Sequence, residues 1–141
     1  MNRMTIAEKY NHLMALFESQ KFIHHLGVEI TELDEGYCEM TLEYDERWSQ
    51  QNGYFDGGVV GTLADNVAGA AAATLMEGPG NCLTSEYKIN LLTPAKGERM
   101  IATGKIIKSG RSLKVAESNI YVMNGSERCH CATALVTLVT A

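Results

Sequence analysis

The chain has 141 residues, 45% of them hydrophobic and 21% charged, the balance expected of one domain able to bury a core of its own. Its formal net charge of -5 argues against nucleic acid as a partner, because neutralising phosphates takes clustered Lys and Arg. There is no apolar run of the ~18 residues a membrane helix needs, and the N-terminal segment is amphipathic and charged throughout, so neither a membrane span nor a cleavable signal is expected and a cytoplasmic location follows.

In chain order, residues 5–20, TIAEKYNHLMALFESQ, place Ile6, Tyr10, Leu13, Met14 and Phe17 at helical spacing, which predicts a helix with one buried stripe. Thr5 with Glu8 fits a capping box at its start. KFIHHLG reads as a short second helical turn stopped by its glycine, and VEITEL (28–33) and CEMTLEY (38–44) as a hairpin through the turn DEGY. Residues 57–76, GGVVGTLADNVAGAAAATLM, are built from Ala, the best helix former, and Gly, and small residues let a neighbouring backbone come close. They predict one long central helix wrapped by a sheet and ended by EGPGN at 77–81.

From Cys82 the pattern is all strand: CLTSEYKINLLTPA, ERMIATGKIIKSG, SLKVAESNIYVMN and, after the turn NGS, ERCHCATALVTLVTA. Such long segments suit a strongly curved antiparallel sheet. In the third the alternation changes phase between Leu113 and Val115 and Ile120 and Val122, which predicts a bulge near 117–119. In the last both faces are largely apolar, pointing to burial on both sides and to self-association. The expected class is α+β, a curved antiparallel sheet of about six strands around one long helix, with an extra N-terminal helix.

The four cysteines, Cys38, Cys82, Cys129 and Cys131, form no CxxC pair. On a strand Cys129 and Cys131 share one face and His130 takes the other, so no metal site is expected and buried free thiols are the better reading. Lys105, Lys108, Arg111 and Lys114 gather into a basic patch that is either a solvated strand edge or a contact for the phosphates of a small ligand.

The stretch NGYFDGGVVGTLADN carries two carboxylates in an otherwise small, apolar run. Asp56 precedes Gly57 and Gly58 at the expected start of the central helix, where the first N–H groups lack intrahelical partners and can bind an anion or polarise a carbonyl oxygen. Glycine there lets a substrate approach the backbone closely. Asp65, about two turns in, interrupts an apolar face between Leu63, Ala64 and Val67, a poor place for a carboxylate unless it is hydrogen-bonded or functional. Gly57 and Asp65 lie roughly 12 Å apart along a helix axis. Both cannot touch one reacting carbonyl, so a shared site takes two chains, the helix start of one beside the helix middle of the other.

The run GYFDGGVVGTLADNVAGAAA, followed by LTSEYKINLLTPA and GKIIKSGRSLKVAESNIYV, resembles the PaaI-like acyl-CoA thioesterases of the hotdog-fold superfamily, relatives of 4-hydroxybenzoyl-CoA thioesterases, over roughly residues 20–140. The resemblance implies a hotdog fold and hydrolysis of an acyl-CoA thioester to free acid and coenzyme A, with no cofactor beyond the coenzyme A of the substrate. It also implies a homodimer or dimer of dimers with the site at the interface. Asp65 falls on the family's general base or nucleophile, and Gly57 on the residue whose N–H polarises the thioester carbonyl, with Asp65 coming from the opposite subunit. Gln50, Gln51 or Asn52 falls on an amide side chain that holds substrate or water, spacing favouring Gln50, and Thr84 on a hydroxyl that orients the attacking water. The turn carrying Lys108, Ser109 and Arg111 falls where relatives contact the coenzyme A nucleotide. Gly58, Tyr54 and Phe55 are expected against the substrate, whose acyl group is expected to be aromatic or of short to medium length.

One residue departs from the family pattern. Most relatives place His where this chain has Asp56, so Asp56 is either an N-cap, or protonated in the site, or a brake on the chemistry, and Asp56→His is expected to raise turnover. A non-catalytic acyl-CoA binder or sensor on the same fold is the alternative function. A hotdog hydratase or dehydratase needs a His paired with a carboxylate, for which His24, His25 and His130 are poorly placed.

Overall fold

The computed structural model describes residues 3–77 and 81–141. Thr5 opens α1 (Ile6–Ser19) with a reciprocal cap: its hydroxyl accepts the Glu8 N–H at 3.2 Å, and the Glu8 carboxylate accepts the Thr5 N–H at 2.7 Å. The buried stripe is narrower than the spacing predicts. Leu13 and Phe17 are buried and Met14 half-buried, but Ile6 and Tyr10 stay 75% and 47% exposed, because only the C-terminal half of α1 rests on the body of the protein. A short α2 (Lys21–Leu26) buries Ile23 and Leu26 and stops at Gly27, whose φ of 84 is the left-handed conformation that glycine adopts freely.

β1 (Glu29–Asp34) and β2 (Tyr37–Glu43) form the expected hairpin, paired down to Asp34 opposite Tyr37. The central helix is α3 (Gly57–Ala73), followed by β3 (Cys82–Leu91), β4 (Arg99–Ser109), β5 (Leu113–Asn124) and β6 (Glu127–Thr140). The six strands form one antiparallel sheet in the order β1-β2-β4-β5-β6-β3, leaving β1 and β3 as its edges. The helix stops earlier than the predicted 57–76. The hydroxyl of its C-cap, Thr74, donates to the Ala71 carbonyl at 2.7 Å and accepts the Gly36 N–H at 2.7 Å, which ties the helix end to the β1–β2 turn. Residues 78–80 of the expected stop EGPGN lie outside the described residues. Among the described residues no helix is long and apolar enough to cross a membrane.

α3 lies against the sheet through Val60, Leu63, Ala64, Val67, Ala68, Ala71 and Ala72, all buried. Its backbone approaches β4 so closely that a Cβ at Gly104 would sit 2.6 Å from the Val67 carbonyl oxygen. Gly104→Ala is therefore expected to lower stability by about 1–3 kcal/mol through overpacking, seen as a lower midpoint in chemical denaturation with an unchanged slope. On β5, fully buried Ser118 donates to the Ala64 carbonyl at 2.6 Å, pinning α3 one residue before Asp65.

The bulge expected near 117–119 is absent. Inward and outward positions alternate without a break along β5, with Lys114, Ala116, Ser118, Ile120 and Val122 all inward. Leu113, 43% exposed, and Val115 lie on the other face, so the apparent phase change records apolar residues placed outside the core. The register shifts fall elsewhere: β4 steps between Ile106 and Lys108, and the β5–β6 pairing passes over Cys131 between Ile120 and Tyr121. The same alternation removes Lys114 from the surface patch. It is 5% exposed, and its ammonium donates to the Gly110 carbonyl at 3.3 Å.

All four cysteines are free thiols. Burial pushes Cys38 up to about 12 and Cys131 up to about 11, from an ordinary value of 9.0, so the folded chain keeps both protons where an unfolded chain sheds them. Stability that is complete below pH 9.0 is therefore expected to fall as pH rises through the window up to about 12. The check is a denaturation midpoint followed across that window, with Cys38→Ala showing the shallower decline.

Candidate active site

α3 presents its two halves to two different cavities. A cavity of ≈ 290 Å³ takes in Asp65 and Asn66 from the helix middle and Leu83 and Thr84 from the start of β3. A second, of ≈ 380 Å³, takes in Gly57 and Val60 from the first turns of the helix, Gln50, Asn52, Tyr54 and Phe55 from the preceding loop, and Leu91 from the end of β3. The candidate residues thus fall into two groups separated by two helical turns, roughly 12 Å along the axis.

In the first group Thr84 Oγ1 donates to Asp65 Oδ1 at 2.6 Å. That bond orients the carboxylate and uses the hydroxyl proton, while the Thr84 oxygen keeps lone pairs that can accept from a water. Among the described residues the other carboxylate oxygen has no hydrogen-bond partner. Asn66 donates to the Thr62 carbonyl at 2.8 Å, a bond inside α3 that sequence reading did not single out. A half-buried carboxylate with one oxygen positioned and one free is equipped to take a proton from water or to attack a carbonyl carbon.

In the second group Asp56 is the N-cap of α3. Its Oδ1 accepts the Gly58 N–H at 2.8 Å, and its backbone carbonyl accepts from Val59 and Val60. One of the two glycine amides is thus engaged. The Gly57 N–H has no acceptor among the described residues, which leaves it the donor available to an oxyanion. Gly58 does not line the cavity, and a Cβ there would lie 2.9 Å from the Asp56 carboxylate.

The loop before α3 is braced by Gln50. Its side-chain oxygen accepts the N–H groups of Asn52 and, at 3.4 Å, Tyr54, while its backbone N–H donates to the Tyr54 carbonyl. That oxygen therefore shapes the loop, and the NH₂ group is the part of Gln50 without a partner among the described residues. Gln51 is exposed and lines neither cavity. Phe55, only 3% exposed, meets Tyr44 edge-on with centroids 5.4 Å apart and lines its cavity from the core, while Tyr54 is half-buried at the same cavity. Lys108, Ser109 and Arg111 are exposed at the end of β4 and the turn beyond, and border neither cavity.

A family description, the thioesterase superfamily, matches residues 52–129, a span that contains α3, Thr84 and the whole loop from Asn52. The chain belongs to the thioesterase superfamily. Its fold is the hotdog fold, a curved sheet around α3. A thioesterase family protein from Silicibacter pomeroyi superposes with a TM-score of 0.91 at 35% identity, covering 96% of this chain and 98% of that one. Over 106 residues the chain is 30% identical to the 1,4-dihydroxy-2-naphthoyl-CoA hydrolase of Listeria monocytogenes, 75% of this chain and 85% of that one. The E. coli PaaI protein shares the fold, with a TM-score of 0.84 at 19% identity over 94% of this chain and 93% of its own.

Membership makes thioester hydrolysis the reaction to which this thioesterase is built. Asp56 stands as the helix cap, its carboxylate bonded to the first turn of α3. The cap still leaves a carboxylate next to the free Gly57 amide, and a negative charge there opposes the charge that gathers on the carbonyl oxygen in the transition state. Asp56→Asn keeps a good N-cap while removing the charge and is expected to raise kcat several-fold, as is Asp56→His. An unchanged or lower rate for both variants in a thiol-release assay removes the inhibitory role.

Proposed function

We propose that the thioesterase hydrolyses an acyl-CoA thioester, with an aromatic or short- to medium-chain acyl group, to the free acid and coenzyme A, and that it does so as a homodimer. The observation that carries this reading is the separation of Asp65 and Gly57 into two cavities of one helix. β3 supports the two-chain arrangement. It is an edge strand whose start, at Leu83 and Thr84, borders the Asp65 cavity and whose end, at Leu91, borders the Gly57 cavity. Antiparallel pairing of β3 with the β3 of a second copy sets the start of one strand beside the end of the other, and so sets each Asp65 cavity against a partner's Gly57 cavity. Leu83, Tyr87 and Leu91, 56%, 43% and 58% exposed, are the apolar surface such pairing covers.

In this site the Gly57 N–H of one protomer polarises the thioester carbonyl. A water accepted between the free oxygen of Asp65 and the Thr84 hydroxyl of the other protomer attacks the carbonyl carbon, Asp65 taking its proton. The tetrahedral intermediate then expels the thiolate of coenzyme A. Direct attack by Asp65, through a mixed anhydride, uses the same geometry. The exposed Lys108 and Arg111, with Ser109, supply positive charge and hydrogen bonds for the nucleotide phosphates. The test is release of free thiol from a panel of acyl-CoAs, with turnover expected on aromatic or short- to medium-chain members. Tight binding without turnover supports the non-catalytic binder.

A further inference from the structure

The Asp65 cavity has walls of two kinds. Ile30, Leu33 and Met40 give it an apolar part, whereas α1 contributes Lys9, His12 and Gln20. Among the described residues none of these three polar side chains has a hydrogen-bond or ion-pair partner. Lys9 is half-buried, and the carboxylates that could have neutralised it are engaged elsewhere. Glu8 closes the cap of α1, and Glu77 pairs with Arg3 at 3.4 Å. A half-buried ammonium without a counter-charge costs a fold stability, and it suits a site that receives an anion. The same ion pair fixes where along the cavity that ammonium stands. Arg3 meets Glu77, and Met4 and Met76 line the cavity together, so α1 begins at the C-terminal end of α3. Lys9 comes about one turn into α1, and Asp65 about two turns before the end of α3, so Lys9 stands nearer that end than the carboxylate does.

We propose that the substrate's acyl group ends in a carboxylate, making it the coenzyme A monothioester of a dicarboxylic acid, and that Lys9 is the residue that reads the far carboxylate. The inference rests on the reading of Asp65 as the group that acts at the thioester carbonyl, with the acyl group running from there toward α1. Asp65 is the one acid in the lining, so an anionic acyl group is repelled at its carbonyl end and needs a cation at the other. Lys9 supplies that cation, and His12, three residues on and on the same side of α1, offers a further ring nitrogen to the same group. The methylenes between the two ends lie against the apolar part of the wall. A neutral chain of equal length covers the ammonium and leaves it unpaired, a penalty that the carboxylate avoids.

The experiment measures kcat/KM for succinyl-, adipyl- and suberyl-CoA against butyryl-, hexanoyl- and octanoyl-CoA, the neutral chains of matching length. It compares wild type, Lys9→Met and Lys9→Arg, with circular dichroism confirming the fold. The wild type is expected to favour at least one dicarboxylic substrate over its neutral match by more than ~10-fold, Lys9→Met to lose or reverse that preference, and Lys9→Arg to keep it. No preference in the wild type, or one that Lys9→Met retains, overturns the proposal. So does a preference that Lys9→Arg loses along with Lys9→Met, since charge is then not what is read. Calorimetric affinities for non-hydrolysable S-carboxyalkyl and S-alkyl coenzyme A thioethers of the same lengths repeat the comparison without turnover. If the wild type hydrolyses no acyl-CoA, the hydrolase reading fails, whereas a carboxylate preference in binding that Lys9→Met removes still supports the role of Lys9. Turnover without any such preference leaves the hydrolase reading standing and removes Lys9 from recognition.

Discussion

Asp65→Asn is expected to lower kcat by about 10²–10⁴-fold while leaving KM and the folded state nearly unchanged. The substitution is close to isosteric, and the amide oxygen can still accept the bond that Thr84 Oγ1 makes to Oδ1 at 2.6 Å, so the local geometry has no reason to move. What is lost is the second oxygen, which has no partner among the described residues and is the atom proposed as base or nucleophile. Steady-state kinetics on the best acyl-CoA substrate, with the melting transition alongside, make the measurement. Turnover within a few-fold of wild type removes Asp65 from the chemistry and leaves it a structural helix carboxylate.

The second large effect is expected at the other end of α3. Gly57 is the first residue of the helix, the one position where proline is favoured, and Asp56 before it has φ -61 and ψ 140, the extended conformation a residue before proline prefers. Gly57→Pro therefore deletes one N–H with little demand on the backbone. If that N–H polarises the thioester, kcat falls by about 10²–10³-fold. The two variants together test whether the site is shared. In a heterodimer of Asp65→Asn with Gly57→Pro protomers, one site collects both defects and the other collects neither. Random mixing makes about half the dimers mixed, each with one intact site, so two inactive proteins should regain about a quarter of wild-type activity. No recovery, with mixed dimers demonstrated by tagging, places both residues in sites built from one chain.

These two candidate residues stand out in the sequence because each breaks a local rule. A glycine pair behind an Asp marks a helix start open to a ligand, and a carboxylate on an apolar helix face asks for a use or a partner. The capping box at Thr5, the stop at Gly27 and the β1–β2 hairpin were legible for a related reason, since each is decided within a few residues by backbone hydrogen bonding and allowed dihedrals. Leu113 and Val115 were misleading because hydrophobicity reports burial only when the core is the sole apolar destination. Here the far face of the sheet also carries apolar residues, Leu113 and Leu135 among them. Lys114 and Phe55 show the same limit, one a cation turned inward by strand alternation, the other a ring drawn into the core beside Tyr44.

The sequence by itself determined the elements, the sheet class and the separation of Gly57 from Asp65, since eight residues of helix have a set length whatever surrounds them. Only the tertiary structure decided that Thr84 meets Asp65, that Asp56 occupies the Gly58 amide while the Gly57 amide stays free, and that α1 lines the cavity beside the carboxylate. Those contacts join residues from different elements. They depend on how a twisted sheet wraps one helix, and no local propensity carries that information.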